Sequence, residues 1–159
     1  MRNNVIGLAL LWSAVIMAVT PAMAGPFDRF NGRWAGWGRI TLDNGNSQNM
    51  KCVSVYRIGK GGASASQSFR CTSDGYRFDA KANYKATGRT VSGTWSEAIY
   101  AMQGTITAKL TASGFQGSIR SNTFAGRIMV SHSGHCRQTL VVSPRQIEVR
   151  SLTVDLKRC

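Results

Sequence analysis

Apolar and polar residues alternate with a period of two along almost the whole chain beyond residue 24. This is the pattern of half-buried strands, whose side chains point in turn to opposite faces. The clearest run sets Tyr76, Phe78, Ala80, Ala82 and Tyr84 on one face against Arg77, Asp79, Lys81, Asn83 and Lys85 on the other. Ile40 and Leu42 alternate with Arg39 and Thr41 before the turn sequence Asp43-Asn44-Gly45-Asn46, and Asp74-Gly75 separates two runs as the tight turn of a hairpin does. The series continues through Val91, Gly93 and Trp95, then Ile106, Ala108 and Leu110, then Phe115 and Ile119, then Phe124, Ile128 and Val130.

Nine or ten segments qualify as strands, at spacings of about 8–12 residues with turn residues between them, and none sustains a helical period. The pattern predicts an all-β fold, a single antiparallel meander. A meander has two edges whose free backbone groups invite pairing with other chains, and closure into a barrel removes both. Near the end, Ile147 and Val149 share one parity while Leu152, Val154 and Leu156 share the other, which predicts a bulge or a bend near Arg150-Ser151 in the segment that closes the sheet. Residues 59–65 are glycine-rich but lack the spacing of a phosphate-binding loop, and read as a hairpin loop.

Residues 1–24 have a different character. Arg2 precedes a run at residues 5–19 that is apolar apart from Ser13, and Pro21 stands before the small-x-small sequence Ala22-Met23-Ala24. The run is shorter than the ~20 residues a spanning helix needs, so it reads as a signal peptide cleaved after Ala24. The remaining residues 25–159 have the length of one domain, expected in a bacterial periplasm or secreted. Cys52, Cys71, Cys136 and Cys159 all follow the cleavage site, and an even number in an exported chain predicts two disulfides. Of three connectivities, Cys52–Cys71 and Cys136–Cys159 join segments that neighbour each other in a meander. Paired C-x-x-C spacing for zinc is lacking.

Without Arg2 the formal charge of +13 becomes +12, and arginine dominates the excess. The cations are spread along the chain rather than gathered in a tail, and they favour anionic partners: small amphiphiles, lipid headgroups at a membrane surface, glycans or an acidic protein. Nucleic acid is disfavoured, because alternation buries the aromatics that would stack on bases and because export separates the protein from it. Acid–base catalysis is poorly supplied, with seven carboxylates and two histidines, so a non-enzymatic protein without cofactor or metal is expected. His132 and His135 sit three apart beside Cys136 and read as part of a polar loop rather than a copper or haem site.

Gly32-Arg33-Trp34 at the start of the first strand resembles the G-x-W signature of the lipocalins and their wider calycin relatives. The resemblance covers these three residues. It implies a small barrel, of about eight strands, with Trp34 plugging one end and a late arginine, Arg150 or Arg158, packed across it. Such an interior is either filled by side chains or holds one small molecule.

Two further positions bear on a binding site. Glu97 shares the parity of Val91, Trp95 and Ile99; a regular strand points it inward to orient a ligand at a wet mouth, whereas a bulge after Trp95 turns it out. Trp37 shares the parity of Arg33 and Arg39; a regular strand leaves an indole exposed between guanidiniums, suited to anionic amphiphiles or glycans, whereas a kink at Gly36 or Gly38 folds it in. The candidate ligand residues are thus Arg33, Trp34, Trp37, Arg39, Trp95 and Glu97. The expected function is binding of a small apolar or anionic amphiphilic ligand in or at the mouth of the barrel. The alternative is a filled core whose basic surface docks on anionic lipid, polysaccharide or an acidic protein.

Overall fold

The computed structural model describes residues 24–159, so the leader expected at residues 1–24 lies outside the described residues apart from Ala24. One turn of 3₁₀ helix, Asp28–Phe30, precedes ten strands: β1 Gly32–Leu42, β2 Ser47–Ile58, β3 Ser64–Thr72, β4 Arg77–Thr87, β5 Thr90–Glu97, β6 Met102–Thr111, β7 Gly114–Ser121, β8 Ala125–Ser133, β9 Arg137–Arg145 and β10 Val149–Lys157. Each strand pairs antiparallel with the next, and β10 pairs with β1, closing the barrel. A second 3₁₀ turn, Lys60–Gly62, lies in the glycine-rich β2–β3 loop.

Ten strands correct the expectation of about eight. Every segment with its own alternation and flanking turns became a strand, so the pattern itself set the number while a three-residue signature did not. The difference has a consequence, because barrel diameter grows with strand number and a wider ring leaves more interior than side chains must fill.

The turns and the bulge fall where the pattern put them. Along β1 and β10 the register passes from Thr41 opposite Ser151 to Leu42 opposite Val149, which leaves Arg150 without an opposite residue and reverses the parity of the segment. Both expected disulfides are present. Cys52 and Cys71 are direct partners on β2 and β3 with Cα atoms 4.1 Å apart, and Cys136–Cys159 ties the chain beyond β10 to the β8–β9 turn. Gly38 makes room for the first of these: a methyl group there would lie 2.9 Å from Cys52 Sγ and 3.1 Å from Val154 Cγ2. Gly36 and Gly38 therefore serve the interior without kinking β1, and Trp37 stays outside, 59% exposed.

An up-and-down barrel sends its connections alternately to its two ends, and these ends differ. At one, Phe27 and Phe30 of the N-terminal segment enter the barrel and meet Trp34, Tyr56, Tyr84 and Phe115, all buried. The Trp34 indole donates to the Phe30 carbonyl at 2.7 Å, and the Phe27 N–H donates to the Gly62 carbonyl at 3.0 Å. Trp34 is thus one member of an aromatic plug, and Arg158 lies over its ring. Among the described residues, the other end carries no such plug.

Candidate functional site

The unplugged half of the barrel contains a cavity of about 390 Å³. Strands β3 to β10 supply its walls. Phe69, Trp95, Ile106, Ile119, Phe124, Ile128, Leu140 and Leu152 form the deeper part, while Tyr76, Phe78, Tyr100, Met102, Pro144, Ile147 and Val149 surround the mouth. Space exists here because the inward positions of β4 opposite Trp95 and Glu97 are Ala82 and Ala80, and Trp95 faces Gly104 on β6. The Trp95 indole lies over that glycine, where a methyl group would sit 2.9 Å from its Nε1, and it donates to the Arg120 carbonyl at 3.2 Å. The ring is held against the wall instead of crossing the lumen.

The buried polar groups of the cavity are already engaged. Glu97 is buried with a regular inward orientation, so no bulge turns it out. One carboxylate oxygen accepts the Asp79 N–H and the other accepts the Tyr100 N–H, each at 2.7 Å. This clips the β5–β6 turn to the start of β4 at the rim, and the strand ends at Glu97, leaving Ile99 exposed in the turn. Deeper in, the Tyr84 hydroxyl donates to Gln67 Oε1 at 2.6 Å, and Gln67 Nε2 donates to Ser54 Oγ at 2.9 Å. Burial pushes the Tyr84 phenol well above the usual tyrosine range, and neighbouring Tyr56 adds to the effect. Tyr56 is raised by burial as well, against the lowering influence of hydrogen bonds from Gln138, Ser54 and Gln67. Both phenols therefore remain neutral hydrogen-bonding groups. A guest in this cavity meets carbon on nearly every side.

The six candidate ligand residues do not come together. Trp95 and Glu97 line the cavity. Trp34 is fully buried in the plug at the opposite end. Arg33, Trp37 and Arg39 point outward from β1; Lys51, opposite Trp37 on β2, places its ammonium 5.7 Å from the indole centroid, and Arg39 Nε donates to Asn49 Oδ1 at 3.3 Å. Their distance from the cavity follows from parity, since β1 turns only its other face inward. The rim residues Tyr76, Tyr100, Met102, Ile147 and Val149 were not among the candidate ligand residues, because aromatics and aliphatics at strand ends look like ordinary core. The available signal was the smallness of Ala80, Ala82 and Gly104 at inward positions, which leaves a wide ring unfilled. His132 packs its ring against Phe30 at 5.6 Å, and His135 is exposed in the β8–β9 turn.

Charge is divided along the barrel axis. At the plugged end, Arg29 and Arg33, Arg57 and Lys60, Lys85 and Arg89, Lys109 and Arg137, and Lys157 and Arg158 are all exposed, with Asp28 and Asp155 as the carboxylates among them. In the half that carries the mouth, the exposed cations Arg70, Arg77, Arg120, Arg127, Arg145 and Arg150 stand among Asp43, Asp74, Asp79 and Glu148. The one ion pair among the described residues, Arg70–Asp79 at 3.1 Å, also belongs to the half that carries the mouth.

No protein-family model and no curated protein matches the chain. Among solved structures it is similar to a redesigned β-barrel, with 14% identity and a TM-score of 0.50, over 86% of this chain and 97% of that one. At that identity the likeness concerns the fold: a closed antiparallel barrel.

Proposed function

We propose that the protein is a non-enzymatic carrier or sensor that takes one small apolar or amphiphilic molecule end-on into the open half of its barrel. The observation that carries this reading is the 390 Å³ cavity walled almost wholly by carbon, whose buried polar groups, Glu97, Gln67 and Tyr84, already bond within the protein. A polar guest would lose hydrogen bonds to water and gain none inside, whereas an apolar one gains about 25 cal/mol for each Å² removed from water. The polar head of an amphiphile stays at the mouth, and the positive charge of the whole chain favours an anionic head. The two disulfides suit an oxidising compartment, periplasmic or extracellular.

Titration with an apolar fluorescent naphthylamine, followed by native mass spectrometry of the complex, tests the proposal. Saturable binding of one probe per chain is expected. A chain that takes up no probe and carries no ligand from its native compartment would leave the proposal without support.

A further inference from the structure

We infer that the plugged end of the barrel docks on an anionic membrane surface, so that the mouth faces away from the bilayer. Cations stand on each of its connections: Lys60 in the β2–β3 loop, Arg89 between β4 and β5, Lys109 leading into the β6–β7 turn, Arg137 leaving the β8–β9 turn, and Arg29 on the 3₁₀ turn of the plug. All are exposed, and among the described residues none joins an ion pair. Of the two carboxylates of this end, Asp28 already accepts the Gly25 N–H at 2.6 Å and Asp155 accepts the Thr139 hydroxyl at 2.8 Å. The opposite rim mixes both signs, so the long-range field of the molecule is polar along the barrel axis and orients it before contact.

The form of the patch decides the partner. The connections of one end of a closed barrel form a ring, so these charges face a surface rather than follow a groove, which suits a plane of headgroup phosphates better than a single polymer strand. The exposed large apolar side chains, Trp37, Ile99, Tyr100 and Met129, lie on the wall or at the mouth. Among the described residues the plugged end thus offers neither a platform for base stacking nor a wedge for insertion, and attachment rests on charge. Each cation near an anionic bilayer strengthens attachment about fivefold, and salt screens the effect over roughly 10 Å. This inference is independent of what fills the cavity.

Cosedimentation of the folded chain with vesicles tests it. Binding is expected to vesicles of phosphatidylcholine containing a minor fraction of phosphatidylglycerol, not to phosphatidylcholine alone, and it should disappear at roughly 0.5 M salt. K85E/R89E/K109E should weaken attachment at least tenfold, with K85Q/R89Q/K109Q intermediate and thermal melts confirming that both fold. R77E/R120E/R145E and I99S/Y100S, at the mouth, should stay within about twofold of the parent. Unchanged binding by both plugged-end variants, loss of binding by either mouth variant, or attachment to heparin or DNA but not to vesicles would each overturn the inference.

Discussion

The guanidinium of Arg158 lies over the ring of Trp34, 4.5 Å from its centroid, and fastens the chain beyond the last strand to the plug at the start of the first. The same group donates to the Asn31 carbonyl at 2.9 Å and to the His135 carbonyl at 2.6 Å. One exposed side chain thus links three segments while shielding a fully buried indole. Removing it in Arg158→Ala should cost about 1–3 kcal/mol through lost stacking and charge-assisted hydrogen bonds. Trp34→Ala, which empties the plug itself, should cost about 3–5 kcal/mol. Urea denaturation measures both, and a neutral Trp34→Ala would show that the plug does not hold the fold.

The Cys136–Cys159 bridge fastens the same corner covalently and closes a segment with a sequence separation of 23. Replacing both cysteines with serine should lower stability by roughly 3 kcal/mol on the chain-entropy view. Non-reducing peptide mapping should recover Cys52 with Cys71 and Cys136 with Cys159; a peptide joining Cys71 to Cys136 would contradict the register of β2 and β3.

Ala80 and Ala82 create the cavity by being small, so filling their positions should abolish binding without requiring a new contact elsewhere. Ala80→Trp, at the partly open rim, should reduce naphthylamine binding at least tenfold at a cost in stability of up to about 1–3 kcal/mol from overpacking. Trp37→Ala on the outer wall should leave binding unchanged. Equal binding by Ala80→Trp and the parent would place the probe somewhere other than the lumen.

Glu97 offers its two oxygens to the N–H groups of Asp79 and Tyr100. Glu97→Ala leaves two partly buried donors unpaired and should destabilise by about 1–3 kcal/mol for each that water does not reach. Glu97→Gln, which keeps one good acceptor, should cost less. A Glu97→Gln protein with unaltered melting but altered probe affinity would mark this carboxylate as a ligand contact rather than a clip for the rim.

His132 supplies the pH dependence that the structure resolves. Burial first, then the nearby charge of Arg29, lowers its pKa below the ordinary imidazole value, with a smaller opposing influence of the Gly134 backbone. The unfolded chain therefore binds this proton more readily than the folded one, so stability rises with pH between the two values. The contribution is complete above about pH 6.5, is lost as pH falls through the lowered value, and is flat below it. His132→Gln should remove this part of the pH dependence in melts recorded between about pH 4 and 8; an unchanged profile would assign the dependence to other groups.

The two-residue rhythm alone was enough to define the strands, the turns at Gly45 and Gly75, the bulge at Arg150 and which cysteines face one another. All of these depend on residues close in sequence or on neighbours in a meander, where the geometry of one strand fixes the next. Closure is expected from the two free edges of a meander and the pattern marks nine or ten strands, but the difference between the two ends depends on how many inward side chains share a lumen. The sequence does not reveal that Phe27 and Phe30 turn back to fill one half, because they precede the first strand and show no periodicity. Nor does it reveal that Ala80, Ala82 and Gly104 converge on the other half, since each is an ordinary small residue until strands far apart in the chain are set side by side. Trp34 and Trp95 both point inward, one near the start of β1 and the other near the end of β5, and only the closed ring makes one a plug and the other a wall.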